Sequence, residues 1–384
     1  MAGLSIGRSA LQSTGAVGHV AADVSESAVR QFQQEVRAQG DALRALHDPA
    51  GTYPTITPAQ SGVLALGTVP DATPRGVEGL EQARAGRRDI AVIYGTLDDA
   101  HSYPYMLREI KALGAEPRMI PSDLATVRDN HLVVDGVATP LPEAVIARSM
   151  AEQPNLALLD DLERSGVHIV NRPSAIRAAA GKIDQASLAE KAGVPRPETH
   201  IVASVDAAHT AAQRVGYPAI VKLDMGSGGS GVFKVDTPAE MNEVAARHLT
   251  GPDRERAILV QELIPGREND LRIHVVRDAA TGRPTAISAM QRFAPEGSHV
   301  SNSLGGTTKR IALTDIPDEV KMAEKMADQV GADNLGVDVL PGARFGETNP
   351  TPGTTELDTP LPFEEHSLPR IAQYAVFGQR APGA

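Results

Sequence analysis

The 384-residue chain contains no cysteine. Disulfides, thiolate metal centres and a cysteine nucleophile are excluded, and the main sequence mark of an oxidising compartment is missing. Aromatic residues make up 3% of the chain, too few for the stacking platforms that single-stranded nucleic acid needs. Positive charge is in deficit: 37 Lys and Arg against 48 Asp and Glu leave a net charge of −11. A polyanionic partner gains no general attraction from such a field. No apolar run reaches the roughly 18 residues of a membrane span. The opening stretch has a single arginine and short apolar runs broken by Gly and Ser, unlike a signal peptide. A soluble cytoplasmic protein is expected.

What is present is ordinary for globular domains: 41% apolar and 22% charged residues, in a chain long enough for two or three cores. Residues 1–88 stand apart as an N-terminal extension. Apolar positions Val29, Phe32, Val36, Leu43 and Leu46 suit an amphipathic helix over 25–47, followed by a proline-punctuated irregular segment. From Asp89 to about residue 171, buried-strand patterns at 89–94, 116–120, 144–148 and 167–170 alternate with helical ones. Such alternation predicts a parallel sheet covered on both faces. A single helix is expected over 174–192, stopped by Gly193, Pro195 and Pro197. Beyond it strands crowd together with few helices, which predicts an α+β module over 172–360. Residues 361–384 read as a tail.

The segment from Lys222 to Val235 carries Gly226, Gly228 and Gly231, a G-x-G-x-x-G spacing. A dinucleotide fingerprint requires a helix after the glycines. Here Val-Phe-Lys-Val follows, a strand. No G-K-[ST] completes a Walker loop, and no H-R-D or D-F-G completes a kinase set. Two readings remain, a hairpin tip without a ligand and a tip laid over a polyphosphate. Gly226, Ser227, Gly228, Gly229 and Ser230 would offer backbone N–H groups to such an anion. Lys222 lies on the strand entering the tip. That strand looks buried, where a lysine seldom sits without a partner.

A second constellation comes late in the chain. Asp338 falls on one strand pattern, and Glu347 and Asn349 fall two apart on the next, so the latter share a face. Across a hairpin Asp338 can face them. Two carboxylates and an amide oxygen form a hard, oxygen-only set that suits Mg²⁺ shared with phosphates. The plainer reading, a strand-end turn, is favoured by Asn-Pro-Thr-Pro-Gly alone but not by the whole set.

Taken in order, these pieces resemble the ATP-grasp ligases, in particular the RimK-like, lysine-biosynthesis carrier-protein ligase and glutathione synthetase branch. The matching stretches are 171–176, Gly181-Lys182, 193–199, 219–222, the glycine hairpin, 259–263, Asp270-Leu-Arg272, Gln291-Arg292, 302–306, Gly336-Val-Asp338 and 347–350. The resemblance implies an ATP-grasp fold of mixed α/β and α+β character. It would have an N-terminal parallel-sheet domain over 89–171, a small lid over about 195–263, and a C-terminal nucleotide- and metal-binding part. It implies that Lys182 and Lys222 touch ATP phosphates or the adenine edge, and that Gln261, Glu262 and Leu263 grip adenine. Glu268 and Asp270 would contact ribose or substrate. Arg272, Arg292 and Asn302 would hold the transferring phosphoryl group and the substrate, and Asp338, Glu347 and Asn349 two Mg²⁺, with Mn²⁺ as a substitute. The chain departs from the pattern where Val300 replaces a basic residue and the 302–306 loop is a residue short, which bears on substrate choice.

The chemistry implied is ADP-forming amide synthesis. ATP converts a carboxylate to an acyl phosphate, because hydroxide is a poor leaving group, and an amine then displaces phosphate. The expected substrates are amino acids or small peptides, with glutamate a candidate acyl donor. No nucleic acid or membrane takes part, and a homodimer or homotetramer is expected. The alternatives are a phosphotransferase on the same fold and a silent nucleotide-binding scaffold.

Overall fold

The structure is a computed structural model describing residues 88–94, 103–148, 153–226, 231–252, 254–266, 269–296, 307–352 and 367–378. All belong to one unit, Val69–Ala384. The helix and proline segment expected before residue 88 lie outside the described residues, as do Ser227, Gly228, Gly229, Ser230, Glu268 and Asn302.

The first layer is the expected parallel sheet. It begins with β1 (Asp89–Tyr94), α1 (Tyr103–Ala112) and β2 (Glu116–Pro121). A meander not anticipated from the pattern follows: β3 (Ala125–Arg128), β4 (His131–Val134) and β5 (Val137–Pro140), paired antiparallel. Its signal was the dipeptides Asp129-Asn130 and Asp135-Gly136, whose φ angles are 48°, 59°, 47° and 79°. Left-handed backbone at both central positions is the two-residue hairpin turn whose twist matches the strands. Then come β6 (Ala144–Arg148), α2 (Gln153–Arg164) and β7 (His168–Val170). The sheet order is β2-β1-β6-β7, with every pairing parallel. Unbroken apolar runs such as Ala-Val-Ile-Ala suit strands covered on both faces, and residues 144–148 are all buried.

The single helix expected over 174–192 is two helices, α3 (Pro173–Ala180) and α4 (Lys182–Ala192). Gly181 between them is extended, at φ −81° and ψ 124°. The cause is Asp224. Its backbone oxygen accepts from Lys182 N at 3.0 Å, and its Oδ1 accepts from Ile183 N at 3.0 Å. These bonds replace helical ones at the break. Gly193 closes α4 in the left-handed conformation, φ 60°, as its position predicts.

The next module holds β8 (Thr199–Val202), α5 (Val205–Val215), β9 (Ala219–Leu223), β10 (Val232–Val235), α6 (Pro238–Leu249) and β11 (Ile258–Glu262). Helix α5 was not foreseen, although Ser204 caps it by accepting from Ala207 N. The sheet, β10-β9-β11-β8, is antiparallel throughout. Both helices pack on it around Val221, Met241 and Val260. Strands β9 and β10 flank the glycines, with Lys222 opposite Val232. The strand–tip–strand context therefore holds.

The third module comprises β12 (Asn269–Arg277), β13 (Pro284–Phe293), β14 (Thr307–Ile311), α7 (Pro317–Val330), β15 (Asn334–Leu340) and β16 (Arg344–Asn349). Its sheet runs β14-β13-β12-β15-β16. Period-two alternation divides the sheet. Ile273, Val275, Leu335, Val337 and Val339 pack with α7 and α4 through Met322, Met326 and Ala189. Asp270, Arg272, His274 and Asp338 point to the opposite face. The region read as a tail contains α8 (Ser367–Phe377), whose Leu368, Ile371 and Val376 are buried. This helix packs on α1, β6, β7 and β12, and Tyr374 meets His168 edge-on with ring centroids 5.6 Å apart.

The modules are fastened by Asn171, which follows β7. Its side-chain nitrogen donates to Asn334 O (2.6 Å) and Pro350 O (2.7 Å), and its oxygen accepts from Asp333 N (2.7 Å) and Asn334 N (2.8 Å). All four amide valences of a buried side chain are used, which is what burial of a polar group requires.

Candidate active site

Sheet register builds the centre of the site. Asp270 pairs with Arg292, Arg272 with Asp338, and Asp338 with Glu347. Residues directly opposite on antiparallel strands project to one face, so five of the candidate side chains meet there from four strands. The Arg272 guanidinium grips Asp338 in two places, Nε–Oδ1 at 2.7 Å and Nη2–Oδ2 at 2.8 Å. Arg292 grips Asp270 likewise, Nε–Oδ1 at 2.7 Å and Nη2–Oδ2 at 2.5 Å. Its Nη2 also reaches Asp338 Oδ2 at 2.7 Å. The result is a buried alternating array, Asp270–Arg292–Asp338–Arg272. Forked pairing of this kind fixes guanidinium planes as well as charges.

Burial opposes ionisation of Asp338, but Arg272 and Arg292 outweigh it and hold the carboxyl well below the usual range. Burial likewise opposes the charge on Arg292. Asp338 and Asp270 overcome it, so the guanidinium is held more firmly charged than normal. Arg292 Nη1 is buried with no hydrogen-bond partner. An orphan donor in an ionised array is a ready site for an anionic oxygen. Gly336 lies beneath Arg272: a Cβ there would stand 3.6 Å from both Arg272 Cδ and Nε and 3.0 Å from Pro352 Cβ.

The two lysines converge from other elements. Lys182 leaves the break between α3 and α4 and donates to Gly226 O at 2.9 Å. Lys222, on β9, donates to Gly346 O at 3.3 Å. Both are buried, 4% and 5% exposed. On β11, Gln261 donates to Thr199 Oγ1 at 2.9 Å and keeps a buried oxygen without a partner. Glu262 Oε1 accepts from Glu198 N and from Arg344, and Leu263 follows where the strand ends. Asp270, expected among the ribose or substrate contacts, has both carboxylate oxygens on Arg292.

A polyphosphate nucleotide fits these groups: two buried ammoniums, one orphan guanidinium N–H and one orphan amide oxygen. Among the described residues no cluster of three or more His, Asp or Glu side chains that could hold a metal ion is present, so a hard cation could draw here only on Asp338, Glu347 and Asn349. A carboxylate offers about four acceptor positions, of which the arginines take three at Asp338. Glu347 stands beside it in register, and Asn349 lies opposite Gly336 on the same hairpin, its Oδ1 accepting from Thr351 N at 3.0 Å.

Three residues not anticipated join the site. His274 lies two along from Arg272 on β12 and is fully buried. Burial, then the Arg272 charge, push its imidazole down to about 3, so it is neutral at neutral pH. The Asp-x-Arg-x-His alternation was its signal. Arg148 ends β6, at the carboxyl edge where open α/β sheets place ligands, and donates to Pro352 O at 3.0 Å. Arg344 had no local signal, because its partner Glu262 is 82 positions away.

Residues 179–362 match the RimK-like ATP-grasp domain family. The chain is 34% identical over 215 residues to a tetrahydromethanopterin:alpha-L-glutamate ligase of Methanosarcina acetivorans, covering 53% of this chain and 62% of that protein. It is 30% identical over 279 residues to a probable alpha-L-glutamate ligase 2 of Hahella chejuensis, covering 67% of this chain and 86% of that protein. The match to the first relative thus spans less than two thirds of its length. Among solved structures, the fold is similar to that of the ATP-grasp ligase PsnB in complex with a phosphomimetic variant of its minimal precursor, Mg and ADP. The TM-score is 0.51 at 21% identity, over 68% of this chain and 90% of that one. The ordered motifs, the strand–glycine–strand hairpin and these likenesses agree: the chain belongs to the RimK-like ATP-grasp family.

Proposed function

We propose that the protein is an ATP-dependent, ADP-forming carboxylate–amine ligase that makes an amide bond through an acyl phosphate. The buried Asp270–Arg292–Asp338–Arg272 array, with the orphan Nη1 of Arg292, is the observation that carries this reading. Planar, two-pronged guanidiniums suit a phosphoryl group and a carboxylate brought together. An array held rigid by two internal carboxylates needs no rearrangement as charge develops.

In this reading Arg272 and Arg292 hold the carboxylate and the phosphoryl group passing to it, together with Asn302. Lys182, Lys222 and the glycine tip at 226–230 hold the phosphates. Gln261, Glu262 and Leu263 hold the purine edge, and Glu268 borders the ribose or the substrate. Asp270 acts through Arg292. Asp338, Glu347 and Asn349 would hold two Mg²⁺, or Mn²⁺ in their place, supplying charge neutralisation between the phosphates. Exclusion of water from the acyl phosphate would leave an amine as the acceptor. Residues 89–171 would form the domain preceding the ATP-grasp core, 172–360 the core, and about 195–263 the lid. The relatives' names support glutamate as one of the two substrates; amino acids or small peptides as the substrate class, with glutamate a candidate acyl donor, complete the proposal. We further propose a cytoplasmic homo-oligomer.

The test is release of ADP and phosphate from Mg²⁺–ATP with pooled amino acids and dipeptides, followed by mass spectrometry. A product one water lighter than its two parts is expected. A stable phosphorylated product with no amine consumed would replace the ligase by a phosphotransferase, and nucleotide binding without ADP release from any pool would favour a scaffold.

A further inference from the structure

Two segments cross between the β8–β11 module and the five-stranded sheet. One, Pro195 to Glu198, enters β8. The other leaves β11 after Glu262. They touch each other, because Glu262 N donates to Glu198 O at 3.0 Å. The turn between β15 and β16 reaches both. Phe345 N donates to Pro195 O at 2.7 Å, on the entering segment. Arg344 Nη1 donates to Glu262 Oε1 at 2.5 Å, on the leaving segment. That same oxygen accepts from Glu198 N at 3.1 Å, so one carboxylate oxygen ties the turn to both segments. Gly346 O accepts from Lys222 of β9 at 3.3 Å. Three consecutive residues thus touch the entering segment, the leaving segment and the lid sheet. Gly342 and Ala343, at φ 76° and 52°, make the tight turn that presents Arg344.

The Arg344–Glu262 pair is a poor source of stability. Its side chains are 41% and 31% exposed, and ion pairs so open to water contribute little. Its effect is geometric. Without Arg344, the Glu262 carboxylate is free to turn to solvent and release the Glu198 N–H, leaving the two segments joined by one backbone bond.

We propose that Arg344 is a positioning residue for the nucleotide. Through Glu262 it fixes the crossing segments so that the backbone of Glu262 and Leu263 meets the purine edge. The same turn joins β15 and β16, which carry Asp338 and Glu347. The clasp therefore ties the purine grip to the carboxylates that face the phosphates. This inference rests on the ATP-dependent reading above.

The experiment is titration calorimetry of Mg²⁺ and ADP with the full chain, its Arg344→Ala, Arg344→Lys and Glu262→Gln variants, and the alanine–glutamine double variant. Arg344→Ala is expected to weaken ADP binding at least about fivefold, the lower range of coupling between sites. Arg344→Lys should restore part of it by keeping a cation at Glu262. The double variant should bind no worse than the weaker single, because both changes open one clasp. Thermal unfolding should be nearly unchanged, which separates positioning from folding. Arg344→Ala binding ADP within about twofold of the parent overturns the clasp alone, since coupling of that size is below the usual range. A parent chain that binds no ADP overturns both the clasp and the ligase reading. Should Arg344→Ala fail to fold, Glu262→Gln against the parent decides by the same ratio.

Discussion

Replacing Arg292 by lysine separates charge from geometry at the centre of the site. Arg292 makes three contacts of 2.7, 2.5 and 2.7 Å to Asp270 and Asp338 and is 5% exposed. A lysine keeps the positive charge between two buried carboxylates, so neither is left facing the other bare. A single ammonium cannot reproduce a planar fork bound to Asp270 while a second nitrogen edge reaches Asp338. Two charge-assisted hydrogen bonds are lost, each contributing about 1.5–3 kcal/mol, and the ammonium's remaining bonds offset part of that. The expected fall in unfolding free energy is about 2–4 kcal/mol. Arg292→Ala, which leaves the carboxylates uncompensated, should cost about 3–5 kcal/mol. Urea unfolding followed by circular dichroism measures both, with equal slopes required for the comparison. In the same lysine protein, ADP release should fall at least about a hundredfold, as when one preorganised donor is removed from a charge-stabilising site. A lysine variant with the parent's midpoint and near-parent turnover would show that a point charge suffices and that the fork has no role.

Glu347→Ala should abolish turnover while leaving the unfolding midpoint within about 1 kcal/mol of the parent, because a partly exposed side chain outside the apolar core adds little to it; intact turnover would remove Glu347 from the site. Asn171→Ala, which strands four buried backbone partners, should cost about 3 kcal/mol or more in the same unfolding assay, and a loss below about 1 kcal/mol would refute the fastening role. Asp333 supplies a pH test. Burial, against Arg277 and a Tyr374 hydrogen bond, raises its carboxyl from 3.8 to about 6. The folded state therefore binds the extra proton between those values, and stability falls as pH rises across that window. Measured from well below 3.8 to well above 6, Asp333→Asn should gain about 3 kcal/mol relative to the parent. A pH-independent difference between the two would place the Asp333 proton elsewhere.

Much of the architecture was readable along the chain because its cause is local. Unbroken apolar runs marked the parallel strands. The strand after Gly231 excluded a dinucleotide fold, and left-handed Gly193 ended its helix where expected. The meander at 125–140 was equally local, in its Asp-Asn and Asp-Gly turns, but is overlooked when only apolar periodicity is followed. Helix α8 is harder to read, since Pro369 interrupts its pattern and its stability comes from packing on α1 and the sheet.

The sequence by itself determined the candidate residue types and their order: the lysines, the glycine tip, the Asp-x-Arg pair and the late carboxylates. Only the tertiary structure decided their partners. The break that aims Lys182 depends on Asp224, 41 positions beyond Ile183. Arg292 finds Asp270 across 22 positions and Arg272 finds Asp338 across 66. Strand register, not spacing along the chain, brings them opposite one another. Charge pairing at a few ångströms is set by which strands lie side by side, and that is settled by burial of the opposite, apolar face of the sheet on α4 and α7.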